Sequence, residues 1–147
     1  MSEGEDAPDK PAVAPFLGAL TIIVAVVIGI WLINIFSGDD LTEEQQIARA
    51  ASGQNDALQR EDYQDFQAFT CAAQHGDETK VMDGQRDSVA NRGDRFVDRV
   101  AGVRIDGDKA TADITYYFES DENAKETVEM SFARENGAWK VCSTGPS

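Results

Sequence analysis

The longest apolar segment of the chain runs from Phe16 to Phe36 and contains no charged residue. As an α-helix it would extend about 31 Å, at about 1.5 Å per residue, and a bilayer hydrocarbon core is about 30 Å thick. A helix of a soluble protein is apolar along one face, whereas this run is apolar on all sides. The sequence therefore predicts a transmembrane helix at residues 16–36.

The flanks of this run favour a retained anchor over a cleaved secretory signal. Residues 1–15 carry four acidic residues against one basic residue, Lys10, whereas a signal peptide begins with basic residues. Asp39 and Asp40 follow the run, so the positive-inside rule places the N-terminus in the cytoplasm. We expect residues 1–15 to form a disordered cytoplasmic tail, and residues 37–147 to form one extracytoplasmic domain.

Cys71 and Cys142 are the only cysteines of the chain, and both lie in the expected extracytoplasmic domain. In an oxidising compartment they would form a disulfide bond, which in the loop-entropy model stabilises the domain by roughly 4 kcal/mol. Two buried free thiols are the alternative in a reducing compartment. The spacing fits no zinc or redox motif, and the single histidine, His75, cannot complete a ligand set. We expect a disulfide, no metal site and no cofactor.

The charge of the chain excludes one class of partner. The net charge is −14, and residues 37–147 hold 23 acidic against 12 basic residues. Such a surface repels phosphate backbones, so we expect no nucleic-acid binding. Five arginines lie close together in the sequence, interleaved with aspartates. They could form a site for an anionic ligand or ion pairs with these aspartates on a solvated face, and we favour the ion pairs. The five are Arg86, Arg92, Arg95, Arg99 and Arg104.

The spacing of apolar residues changes midway through the domain. From Thr42 to about Arg92 they recur every three or four residues, which predicts two or three helices, with Asp62 and Asp77 as candidate N-caps. From Phe96 onwards apolar and polar residues alternate, which predicts strands with one buried face.

Turn residues divide the alternating half into four strands. Gly107-Asp108 and Asn136-Gly137 predict two tight hairpins, which pair Ile105 with Ala110 and Phe132 with Val141. An acidic loop is predicted from Ser120 to Ala124. A change of parity predicts a bulge near Ala101-Gly102, which would curve the sheet. The fold class is thus α+β, with helices packed on a curved four-stranded antiparallel meander.

Several short motifs suggest a family. Asp62-Tyr63-x-x-Phe66, with Cys71 nine residues after Asp62, precedes a final Trp139-Lys140-Val141-Cys142. This arrangement resembles actinobacterial single-pass membrane proteins that carry an extracytoplasmic NTF2-like domain, a cystatin-like cone. The resemblance implies an accessory role in the cell envelope, because proteins with related architectures are associated with envelope lipid transport. It does not specify an activity, since this fold serves isomerases, hydratases, carriers and interaction modules.

The candidate chemistry of the domain centres on one side chain. Tyr116 is the polar-tipped residue on the predicted inner face of its strand, and it is either a ligand-pocket residue or a core aromatic. No Ser-His-Asp set can be assembled around His75, the single histidine. We therefore expect a non-enzymatic, membrane-anchored envelope module that binds a protein partner. A small-molecule carrier or isomerase-like enzyme using the pocket of the cone is the alternative, and Ala25 and Gly29 leave a homodimer through the anchor open.

Overall fold

The computed structural model describes residues 9–36 and 41–147. These residues form two units, one ending at Leu41 and the other comprising Thr42–Ser147, and each is described by itself. Of the disordered tail predicted for residues 1–15, residues 1–8 lie outside the described residues, whereas residues 9–15 are helical.

The first unit contains one helix, α1, from Asp9 to Phe36. It begins seven residues before the predicted span, so residues 9–15 are helical. Side chains are described for residues 17–32 of this helix; those of Leu20, Ile22 and Trp31 are exposed. The hydroxyl of Thr21 donates to the Leu17 carbonyl at 2.8 Å, within the helix. Among the described residues, no helix meets the length and apolarity expected of a membrane crossing.

The second unit opens with three helices, each with a side-chain cap at its N-terminus. Helix α2 is Glu43–Gln59, α3 is Tyr63–Phe69 and α4 is Glu78–Arg92; a short 3-10 turn, Ala72–Gln74, lies between α3 and α4. Thr42 and Gln45 form a reciprocal capping box on α2, while Asp62 and Asp77 cap α3 and α4 as the sequence predicts. Gly93, at a φ of 78°, ends α4.

A four-stranded antiparallel sheet follows the helices. Its strands are β1 Arg95–Asp106, β2 Lys109–Phe118, β3 Asp121–Glu135 and β4 Ala138–Val141, in the spatial order β1-β2-β3-β4. This is the predicted meander, and the α+β fold class is confirmed.

Both predicted hairpins have the expected register. Ile105 pairs with Ala110 around the first turn, and Phe132 pairs with Val141 around the second. Asn136 and Gly137 both have positive φ, at 53° and 80°, as a type I′ turn requires.

An irregularity in the pairing bends β1, and β3 begins earlier than the sequence predicts. The β1–β2 register shifts between Ala101 and Arg104, where Gly102 has a φ of 60°, so the predicted bulge is confirmed. The prediction of a loop from Ser120 to Ala124 is wrong, because β3 begins at Asp121, which pairs with Phe118. The acidic residues of this segment are exposed, and exposed strand ends tolerate charge.

One apolar core lies between the sheet and α2. The inward face of β2 is fully buried, and Met130, Phe132, Trp139 and Val141 complete the sheet side. Helix α2 contributes Ile47, Ala50 and Ala51. The inward β2 residues are Ala110, Ala112, Ile114, Tyr116 and Phe118.

A disulfide joins Cys71 to Cys142, with their Cα atoms 5.0 Å apart. The predicted pairing is confirmed. It connects the segment after α3 to the end of β4, where the Cys71 amide also donates to the Val141 carbonyl at 2.8 Å.

Candidate functional site

Arg95 is a buried cation at the start of β1, with only 7% of its surface exposed. Its Nε donates to Asn55 Oδ1 at 2.7 Å, and its Nη1 donates to the Pro146 carbonyl at 2.7 Å. In return, Asn55 Nδ2 donates to the Arg95 carbonyl at 2.9 Å. The third nitrogen, Nη2, is buried and forms no hydrogen bond with any described residue.

The guanidinium lies over the ring of Tyr116, with its carbon 4.6 Å from the ring centroid. Burial lowers the pKa of Arg95, and the only opposing influence is the nearby Tyr116. Burial likewise raises the pKa of Tyr116, which Arg95 partly offsets. No Asp or Glu side chain of the described residues forms an ion pair or a hydrogen bond with Arg95, whose positive charge is buried inside an acidic domain.

Arg95 lines a cavity of about 310 Å³. Its walls come from the three helices of the second unit and from residues 143–147, which follow β4. None of the lining residues is Asp, Glu or His. They are Gln54, Leu58, Phe66, Thr70, Gln74, Lys80, Val81, Gly84, Gln85, Ser88, Arg95 and residues 143–147.

The segment 143–147 lies directly on Arg95 and Tyr116. Ser143 Oγ accepts from the Ser131 amide at 2.8 Å, which fixes the start of the segment beside β3. A Cβ atom at Gly145 would come within 2.6 Å of Arg95 Nη1 and 3.3 Å of Tyr116 Cζ. Glycine therefore allows the backbone to pack against both groups, and this contact holds the guanidinium in place.

Tyr116, the ligand-pocket candidate of the sequence, lies in the core rather than in the cavity wall. Its side chain is fully buried, and its hydroxyl donates to Met130 Sδ at 3.0 Å. A thioether sulfur is a weak acceptor, so the hydroxyl has no partner that would activate it. Tyr116 contributes to the cavity indirectly, because its ring packs against the Arg95 guanidinium, and Arg95 lines the cavity.

The other polar candidates have structural partners. His75 Nε2 lies 2.8 Å from the Thr70 carbonyl and 3.1 Å from the Gln67 carbonyl. In the part of the chain that the structure describes, the one grouping of potential metal ligands is Cys71, Glu135 and Cys142. Both of its sulfurs are in the disulfide, and Glu135 accepts from the Ala72 amide at 3.2 Å, so it does not form a thiolate metal site.

The arginine-rich stretch divides into two kinds of residue. Arg86 pairs with Asp83, as predicted, and also with Glu61, whereas Arg92 and Arg104 pair with glutamates of β3 rather than with the interleaved aspartates. For Arg95 the prediction of a solvated face is wrong, because its side chain is buried among neutral groups. The alternation of strand residues could have predicted this burial, because Arg95 is two residues from the inward-facing Val97 and therefore lies on the same face.

Comparison with known proteins defines the class of the second unit. No family model and no curated protein matches the chain. A protein of unknown function with a cystatin-like fold from Nostoc punctiforme PCC 73102 has a TM-score of 0.51 at 17% identity, over 69% of this chain and 88% of its own. With the helices followed by a four-stranded meander, this likeness identifies a cystatin-like fold.

Two further structures carry the NTF2-like name. A Campylobacter jejuni protein provisionally named an NTF2-like transpeptidase has a TM-score of 0.48 at 13% identity, over 66% of this chain and 97% of its own. A Streptomyces avermitilis protein provisionally named a dehydratase of the NTF2-like family has a TM-score of 0.43 at 17% identity, over 66% of this chain and 88% of its own.

Proposed function

We propose that this protein is a membrane-anchored, extracytoplasmic binding module of the cell envelope, without catalytic activity of its own. The observation that carries the proposal is the composition of the cavity wall. The wall combines a fixed, buried guanidinium and Lys80 with amides, hydroxyls and apolar side chains, and none of its residues is Asp, Glu or His. Such a wall is suited to binding a ligand rather than to transferring protons.

The chemistry of the two central side chains supports binding over catalysis. General acid–base catalysis needs a group that exchanges its proton near the working pH. Arginine remains protonated in proteins. Tyr116 has a raised pKa and donates to a thioether, which leaves it a neutral phenol. Neither residue provides the proton-transfer pair that an isomerase of this fold would need.

The proposed membrane anchor rests on the sequence. The uncharged run from Phe16 to Phe36 is long enough to cross a bilayer, and it extends beyond the described side chains at both ends. The Cys71–Cys142 disulfide supports an oxidising compartment for the second unit, because such bonds are rare in the cytosol. Lys10 supports a cytoplasmic N-terminus.

Reporter fusions test the placement. Alkaline phosphatase is fused after Ser147 in one version and green fluorescent protein in another, and both are expressed in a bacterial host. We expect phosphatase activity, no fluorescence and retention in carbonate-washed membranes. The matched control carries Val24→Arg and Val27→Arg, which should release the protein from the membrane because charges at a helix centre oppose insertion. A fluorescent fusion in the cytosol would refute the proposed location.

A second candidate function, a small-molecule carrier, is favoured by the size of the cavity. Its volume of about 310 Å³ lies at the lower end of the range of ligand sites, roughly 300–1,000 Å³. The isomerase-like alternative makes a different prediction. It requires turnover of a small ketone or lipid that Tyr116→Phe abolishes while the fold stays intact, and this result would overturn the non-enzymatic proposal.

A further inference from the structure

We propose that the cavity binds a small ligand with a single carboxylate, and that the guanidinium of Arg95 anchors this carboxylate. The proposal deepens the binding function given above and rests on it. It assigns the chemical class of the ligand from the geometry of one side chain, from the charge around that side chain and from the walls of the cavity.

The guanidinium of Arg95 is held in a fixed position, and one of its nitrogens has no hydrogen-bond partner among the described residues. Nε donates a hydrogen bond to Asn55 Oδ1 and Nη1 donates one to the Pro146 carbonyl, each at 2.7 Å. Gly145 packs closely against the same guanidinium. Nη2 is buried without a hydrogen-bond partner among the described residues, although the side chain lines the cavity. The guanidinium therefore has unused donor capacity in a side chain that lines the cavity, which suits a ligand oxygen as an additional acceptor.

The charge of the site calls for an anion. The two acceptors that hold Arg95, an amide and a carbonyl oxygen, are neutral, and no Asp or Glu side chain of the described residues pairs with the buried charge. Removing a cation from water is costly unless an opposite charge accompanies it. A ligand carboxylate would supply both the missing charge and the missing acceptor, and charge-assisted bonds of this kind are among the strongest hydrogen bonds in proteins.

The same surroundings favour a carboxylate over a phosphate. Phosphate sites use several donors at once, often the free amides of a helix N-terminus. The α4 N-terminus borders the cavity through Lys80, but the Lys80 amide already donates to the Asp77 carboxylate at 3.1 Å. The strongly acidic domain also repels a dianion more than a monoanion.

The walls define the rest of the ligand. Leu58, Phe66 and Val81 provide apolar surface, and the cavity holds about 310 Å³. This volume accommodates a short aliphatic body attached to the acid group and is small for a ligand of drug size. A short-chain aliphatic acid is therefore the simplest representative of the proposed class.

The test compares hexanoate with hexanamide, which has the same chain length but no charge. Each is titrated into the full chain in non-ionic detergent micelles, and amide chemical shifts of Arg95 and Gly145 are followed by NMR. We expect saturable shifts with hexanoate and at least 10-fold weaker binding of hexanamide. Equal affinity for the two compounds, or no saturable binding of hexanoate, would overturn the proposal.

Two variants with the guanidinium intact separate binding from folding. Gly84 lines the cavity, and a Cβ atom there would meet no other atom within 4 Å. Gly84→Leu should therefore fill the cavity and weaken hexanoate binding at least 10-fold while the protein stays folded. Gly84→Ala is the matched control and should leave most of the affinity. Undiminished binding by Gly84→Leu would place hexanoate elsewhere and contradict the proposal.

Arg95→Gln removes the charge directly. We expect it to reduce hexanoate binding at least 10-fold and to leave hexanamide binding unchanged. If this variant does not fold, the Gly84 variants decide.

Failure of this proposal can be distinguished from failure of the proposed function. Binding of hexanamide or a neutral ligand in this cavity would keep the binding module and reject the carboxylate, whereas a cytosolic fusion would reject the envelope location without affecting hexanoate affinity.

Discussion

Asn55 is the side chain that makes a buried arginine tolerable in this fold. Its amide oxygen accepts from Arg95 Nε, and its amide nitrogen donates to the carbonyl of the same residue. Aspartate lacks the donor and leucine lacks both groups. Because an unmade hydrogen bond costs more in a buried site than in water, this two-way contact fixes the side chain and the backbone where β1 begins.

We expect Asn55→Ala to lower the free energy of unfolding by about 3 kcal/mol, because one hydrogen bond to a charged group and one to a carbonyl are lost. Urea unfolding of the full chain measures the difference. The control is the same substitution in an Arg95→Met background, where we expect a loss of about 1 kcal/mol. Equal losses in the two backgrounds would show that the two residues are not coupled.

Tyr116 predicts a specific alkaline dependence of stability. Its pKa in the folded protein is raised above the ordinary value of 10.0, chiefly by burial. As the pH rises through about 10, the unfolded chain releases the phenol proton while the folded protein keeps it, so stability falls with rising pH. Below that pH both states are protonated and the contribution of Tyr116 is fully present.

We expect the stability of the wild type to decline more steeply above about pH 10 than that of Tyr116→Phe, because the variant lacks this proton. Near neutral pH the variant should differ from the wild type by less than about 1 kcal/mol, since it loses only a bond to a thioether. Urea midpoints across this pH range measure the slope, with Tyr117→Phe as the matched control. Parallel slopes for the wild type and Tyr116→Phe would rule out the raised pKa.

At the level of elements, the sheet could be predicted because strand signals are local. The strict alternation from Ala110 to Phe118 leaves one possible buried face, and Asn136-Gly137 has the residues that a type I′ turn needs. The extension of β3 back to Asp121 could not be predicted, because it depends on pairing with Phe118. Local composition in that segment is acidic and favours a loop.

The cavity could not be predicted for a similar reason. It forms where α2, α3 and α4 meet the segment 143–147, and contacts between residues this distant in sequence leave no periodic signal. The sequence predicts only that Arg95, two residues before Val97, lies on the same face of its strand as that inward-facing residue. Its burial depends on Asn55, 40 residues earlier.

Two glycines in helices predict opposite effects of the same substitution. A Cβ atom at Gly53 in α2 would come within 2.6 Å of the Phe69 ring, whereas one at Gly84 in α4 would meet nothing within 4 Å. We expect Gly84→Ala to raise the free energy of unfolding by about 0.5–1 kcal/mol through helix propensity. Gly53→Ala should lower it by about 1–2 kcal/mol, because the clash between α2 and α3 outweighs the same gain.

Thermal or urea unfolding of the two variants provides the comparison. Gly53→Ala in a Phe69→Leu background is the control, since removing the ring should remove the clash and make the substitution nearly neutral. If Gly53→Ala stabilises the wild type as much as Gly84→Ala does, the packing of Phe69 on α2 is loose and this account of the contact between the helices is wrong.

At the scale of the whole domain, the disulfide joins the helical part to the last strand. Thr70 forms a parallel bridge with Val141, and the adjacent Cys71 and Cys142 close a loop with a sequence separation of 71 residues. That loop contains α4 and all four strands of the sheet. The bond therefore restricts the unfolded chain strongly while it joins segments that already lie side by side in the folded protein.

We expect replacement of both cysteines by alanine to lower the free energy of unfolding by about 4 kcal/mol, the loop-entropy value for a closure of this length. Urea unfolding with and without dithiothreitol measures it: reductant should destabilise the wild type by a similar amount and leave the alanine variant unchanged. Because a domain of this size has a total stability of only about 5–15 kcal/mol, the variant should be close to its unfolding threshold at 37 °C. A loss below about 1 kcal/mol would show that backbone pairing at Thr70 and Val141, rather than the covalent bond, holds the two segments together.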